Sequence, residues 1–222
     1  MATRVAGAWL ALGSVLLAIV FVFHGPPEAH VGDQMTVIAG ESTRWLTVHW
    51  MAAVALSLFA VAGLIVLGAG SRLTASSWTI SAWALLPVGA LWTVVTAVAE
   101  ATGVTDAAVG GNEGLFAAWW AFSEGFANGF AGVALCVAVI AANEARAEER
   151  ATPAWAAGIA IFAGIASFAC WALWSWADLG FAAPVWVASS ILMCLWLLWF
   201  GIGMFRGETA HAVSPREATF RA

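Results

Sequence analysis

Residues 45–69 read WLTVHWMAAVALSLFAVAGLIVLGA and contain no Asp, Glu, Arg or Lys. At about 1.5 Å of rise per helical residue, such a run is long enough to cross a hydrocarbon core of about 30 Å. Its end is marked by Gly68-Ala69-Gly70, a helix C-terminal stop, followed by Ser71 and Arg72. Working outward, five more runs of the same kind are found at 5–23, 77–99, 115–142, 154–176 and 183–205, separated by Gly, Pro or charged residues, and the Gly-rich stretch 100–114 between two of them is expected to be a mobile outer loop. No stretch shows the ten-residue alternation of a membrane barrel. The expected fold class is therefore all-α: a polytopic integral membrane protein with six transmembrane helices occupying residues 1–206, and a polar tail over 207–222.

The composition agrees. Hydrophobic residues make up 63% of the chain and charged residues 9%, with a mean hydropathy of +0.90, well above the roughly 45–50% apolar content of a soluble domain. The first run follows Arg4 and leads into His24-Gly25-Pro26-Pro27 with no small-residue cleavage pattern, so it reads as a retained helix and not a signal peptide. Seven of the eight arginines fall on one side if both termini are cytoplasmic, leaving Arg44 outside. This positive-inside bias sets the expected orientation in a plasma membrane. Glu28, Asp33, Glu41, Glu100, Asp106, Glu113 and Asp178 then lie at or beyond the outer face, an acidic surface that favours cations over anions.

Several chemistries are excluded or unsupported. The chain has no Lys, which rules out a Schiff-base site on a lysine amine. Cys136, Cys170 and Cys194 sit in apolar runs with no CxxC spacing and read as small packing residues. No GxSxG, P-loop or HExxH motif is present, and no nucleophile stands near a base, so no catalytic residue is assigned and the reading leans away from an enzyme. The acidic balance, a net charge of −5, gives no footprint for nucleic acid.

The most diagnostic residue is Glu124, inside 115-LFAAWWAFSEGFANGFAGVALC-136. It falls roughly 14 Å below the outer end of its helix, where an ionisable group is costly and takes a partner or a function. Trp120, Glu124 and Asn128 recur at i+4 and form a polar stripe, while Gly125 and Gly129 make a small-xxx-small pair that admits a neighbouring helix. Glu100 shares a face of the third run with Thr93 and Thr96, and Trp171, Trp174 and Asp178 share one on the fifth. Together these residues outline an outward-open, Trp- and carboxylate-lined pocket. Trp45, Trp50, Trp176 and Trp186, near the interface, are expected in the aromatic belt.

Three of the four histidines, His24, His30 and His49, lie close together in sequence. Imidazoles with carboxylates suit zinc, copper or iron. HGPPEAH is no same-face helical pair, however, and its prolines break the helix, so a metal or haem site would have to be assembled by tertiary folding. His211 belongs to the tail. The leading expectation is a binding, sensing or transport module that takes a small ligand or cation. The alternatives are a metal- or haem-bearing redox protein built on His24 and His49, and a structural subunit of a larger membrane complex. Lipid is the one certain partner, and the oligomeric state is left open.

Overall fold

The structure is a computed structural model that describes residues 1–25, 28 and 30–207; the Pro-Pro break and the 208–222 part of the expected tail, including His211, lie outside the described residues. The chain is all-helical. Its long helices are α1 (Ala2–His24), α3 (Ser42–Ala69), α4 (Ser77–Ala99), α6 (Glu113–Arg146), α7 (Ala154–Ser175) and α8 (Ala182–Arg206), with two short ones, α2 (Val31–Gly40) and α5 (Thr105–Val109). Six helical rods among the described residues are long and apolar enough to cross a membrane, which makes this a multi-pass membrane protein in contact with a lipid bilayer.

The rods pack as a closed ring in chain order: α1 on α3, α3 on α4, α4 on α6, α6 on α7, α7 on α8, and α8 back on α1. Short connections between antiparallel neighbours dictate this order, and small residues set its close approaches. At the α4/α6 crossing, a Cβ on Gly129 would stand 2.6 Å from the Gly89 carbonyl oxygen, whereas a Cβ on Gly125 would meet nothing within 4 Å. Gly129 alone of the expected glycine pair therefore makes the crossing. At the α1/α8 seam a Cβ on Gly201 would stand 2.8 Å from the Gly7 carbonyl oxygen.

Helix ends follow local chemistry. Ser76 and Thr79 form a reciprocal capping box at the start of α4. The Asn112 side chain accepts from Leu115 N at the start of α6, at 3.0 Å. Gly70, at φ 58°, closes α3 in the left-handed conformation. At the end of the bundle away from the histidines, the fully buried Glu144 accepts from Arg72 Nη2 at 2.9 Å and from the backbone N–H groups of Ala151 and Thr152. That one carboxylate holds the 147–153 connection against α6.

Two local expectations are corrected. Residues 100–114, expected as a mobile outer loop, are helical as far as Val109: a π-helical turn, Glu100–Val104, joins α4 to α5 in one rod spanning Ser77–Val109. Thr105 Oγ1 donates to the Glu100 carbonyl at 2.6 Å, and the Trp119 ring packs where a Cβ on Gly103 would stand. The chain needs a glycine there for close contact, not for flexibility. Second, Trp45 and Trp186 are buried, at 2% and 8% exposure, and leave the expected belt. Trp45 is inside because α3 begins at Ser42 and turns this residue to the face that His49 shares at i+4. Trp50 and Trp176 are exposed, as the belt reading requires.

Candidate functional site

Three polar side chains converge at one end of the ring. His24 is the last residue of α1, His49 lies on α3 two turns from its start, and Glu100 opens the π-helical turn after α4. The donor atoms of these three residues all lie within 4.8 Å of one another. His49 Nε2 stands 2.8 Å from Glu100 Oε2, and both side chains are almost wholly buried. A π-helical turn interrupts the regular helix and is common at functional sites; here it falls on the residue that brings the carboxylate.

The imidazoles are oriented from behind. His49 Nδ1 lies 2.8 Å from the Trp45 carbonyl oxygen, and His24 Nδ1 lies 2.7 Å from that of Gly25. A carbonyl can only accept, so each Nδ1 carries a proton; His24 Nε2 is then left to accept, while the contact between His49 Nε2 and Glu100 Oε2 holds a proton that a metal ion would displace. The Trp45 ring packs against both, at 4.7 Å from His24 and 4.5 Å from His49, and the two imidazole centroids are 5.1 Å apart. Arg44 ties the surround together: it pairs with Glu41 and donates to the Phe23 carbonyl at the end of α1. Thr96 Oγ1 donates to the Ser123 carbonyl at 2.8 Å, which fixes the Glu100 helix against α6.

A cavity of about 110 Å³ lies against the triad. Its head is His24, His49 and Glu100, and its walls include Phe21, Phe130, Trp120, Trp171, Trp174 and Trp186. Glu124 lines it as well, and also borders an adjoining cavity of about 180 Å³ with Glu28, Gln34 and Asp178. Trp120, Glu124 and Trp174 are common to both, so the second space is the vestibule of the first. The short helix α2 contributes Val31 and Gln34 to this vestibule, while its Ile38 packs with Trp45, Val104 and Phe116.

Of the residues expected at a pocket, Trp120, Glu124, Glu100, Trp171 and Trp174 line the inner cavity, and Asp178, exposed and at φ 53°, lines the vestibule. Asn128 borders neither cavity; its Oδ1 accepts from Trp171 Nε1 at 3.1 Å and from Trp176 Nε1 at 3.0 Å, clamping α6 to α7. His30 is exposed at the start of α2 and stands outside the triad. Glu100, assigned from sequence to the pocket mouth, is the residue that joins the two histidines. Sequence reasoning passed over Trp45, Trp186, Phe21 and Phe130, whose inward facing depends on helix rotation that an almost uniformly apolar text does not encode. No family model, curated protein or solved structure matches the chain, and the site must be read from its own geometry.

Proposed function

We propose that this multi-pass protein binds a divalent first-row transition-metal ion at the head of a pocket open to the outer side of the plasma membrane. The observation that carries the reading is the convergence of His24, His49 and Glu100 from three parts of the ring, one ligand atom of each within 4.8 Å of the others and each imidazole Nδ1 held by a backbone carbonyl. Two imidazoles and a carboxylate form a borderline nitrogen–oxygen donor set, suited to zinc or iron, whereas calcium and magnesium take oxygen ligands. Ligating histidines generally donate their other ring N–H to a carbonyl or carboxylate, and both residues here do so. Three protein ligands would leave the ion a further coordination position, as in sites that bind or process another ligand.

The haem alternative draws no support from this geometry. Rings 5.1 Å apart, with Trp45 against both, leave no space for a macrocycle between them. The arginine distribution supports cytoplasmic termini, with residues 1–206 as the membrane bundle, 207–222 as its tail and the triad at the outer end. The test is elemental analysis of detergent-purified protein after zinc or ferrous loading and gel filtration, with a cysteine at Asp106 labelled by an impermeant maleimide in whole cells. One equivalent of metal and outside labelling are expected. A folded protein that retains no metal overturns the assignment, and labelling only after lysis overturns the orientation.

A further inference from the structure

We propose that the aromatic chamber beneath the triad is a second site, which binds a small organic ammonium ion carrying an oxygen acceptor, a ligand of the size and chemistry of choline. Four indoles form its wall. Trp174 and Trp186 lie nearly parallel at 12° with centroids 6.2 Å apart, and Trp171 tilts against each at 5.1 Å. Trp120 completes the set from α6. Indole faces attract cations more strongly than any other aromatic side chain, and cages of them are the recurrent recognition device for quaternary ammonium groups.

The charges have the matching sign. Glu124 lies where chamber and vestibule meet, and Glu28 and Asp178 line the approach. Among the described residues no Arg borders either cavity, and the chain has no Lys, so the described lining offers an anion no Arg or Lys as counter-charge. The volume of about 110 Å³ suits a ligand of a few heavy atoms, since an engineered cavity of about 150 Å³ admits benzene. A separate observation calls for an oxygen on the ligand: Trp186 lines the chamber at 8% exposure, and its buried Nε1–H donates to nothing among the described residues. A buried donor left unpaired is costly, and a ligand hydroxyl or carbonyl oxygen would accept from it. None of this rests on the metal reading, because the indoles and Glu124 are not part of the triad.

The experiment is equilibrium dialysis of radiolabelled choline against the full chain in phosphatidylglycerol nanodiscs, after removal of metal with a chelator. Saturable binding is expected, competed by tetramethylammonium and about tenfold less well by 3,3-dimethylbutanol, the uncharged carbon isostere of choline. Trp174→Leu and Glu124→Gln should each weaken choline about tenfold. Trp186→Phe keeps the ring and removes the donor, so it should weaken choline several-fold and leave tetramethylammonium unchanged. In phosphatidylcholine nanodiscs, reduced choline binding would identify the lipid headgroup as the source of the ammonium, and undiminished binding the free ion. Equal competition by the neutral isostere, or no saturable binding by a wild-type protein that elutes as a folded species, overturns the proposal. Metal-free protein is used throughout, so a failed metal assay would leave this outcome untouched.

Discussion

His24→Ala separates a metal site from a buried ion pair more sharply than substitution of either partner in the pair. His49 and Glu100 are hydrogen-bonded to each other at 2.8 Å, so truncating either leaves the other buried without its partner. Breaking a buried pair in this way costs about 3–5 kcal/mol whether or not a metal binds there. His24 stands outside that pair: among the described residues its Nδ1 hydrogen-bonds to the adjacent Gly25 carbonyl alone, and its ring rests on Trp45 and His49. Without a metal, its removal should therefore cost about 1 kcal/mol of stability, the worth of one hydrogen bond. With a metal it is one of three ligands. Structural zinc sites with four ligands are worth about 10–16 kcal/mol, or about 3 kcal/mol per ligand, so losing one should weaken affinity about a hundredfold. The assay is competitive zinc titration of the detergent-purified protein against a chelating dye, with thermal unfolding measured alongside. The expected result for His24→Ala is near-native unfolding with affinity down by about two decades. Undiminished zinc affinity in a folded His24→Ala protein would refute the reasoning, because nothing else His24 does in the structure requires a free Nε2.

Three further outcomes follow from the packing. Gly129→Leu should destabilise the bundle by at least about 1–3 kcal/mol, since its Cβ would meet the Gly89 carbonyl and Thr93 Oγ1 at 2.6 and 2.7 Å; Gly125→Ala, with open space around it, should be neutral or stabilising, and unfolding in mixed detergent reads both. Asn128→Ala removes the shared acceptor of two indole N–H groups, a loss of about 1 kcal/mol at the modest worth of hydrogen bonds in membranes, with a change in tryptophan emission as the readout. Glu144→Ala strips Arg72 and two backbone N–H groups of their acceptor at a fully buried position; a loss of about 3–5 kcal/mol is expected, and proteolysis within 147–153 should report it.

The membrane architecture was legible because bilayer thickness fixes how long an apolar run must be, and each of the six runs meets that length. Helix ends outside the bilayer carry no such constraint. That is why the rod through Glu100 to Val109 was read as a loop: ATGVTDAAVGG is short-chain and glycine-containing, and the packing of Trp119 on Gly103 that makes it helical is a tertiary contact. Glu124 stands out in the sequence by its depth along the helix; in the structure it lines both cavities but is exposed. Its neighbour Asn128 was grouped with it by i+4 spacing, yet turns toward α7, because a polar stripe in an apolar helix can be satisfied by two different neighbours. The triad was half legible. The histidines stood out by rarity, but the choice of Glu100 over His30 depends on which helix ends meet, and hence on the order of the ring.

That order also accounts for the division of labour within the site. Helices α1, α3 and α4, with the π-helical turn, supply His24, His49 and Glu100, while α6, α7 and α8 supply Trp120, Trp171, Trp174 and Trp186. The two halves meet at two seams, α1 on α8 and α4 on α6, and glycines lie against the facing backbone at both, through Gly7 with Gly201 and Gly89 with Gly129. Gly7 and Gly201 lie in the half of α1 and α8 remote from His24, so the first seam is pinned at the end away from the triad. Small-residue crossings of this kind bring backbones together over a short length, and beyond them the helices are free to diverge. The cavity opens where the pinning ends, lined by side chains from both halves. On the proposed function, a cation entering by the vestibule would lie between a polar half and an aromatic half. Movement of one half against the other would first have to break contacts in which neither backbone has a side chain to yield.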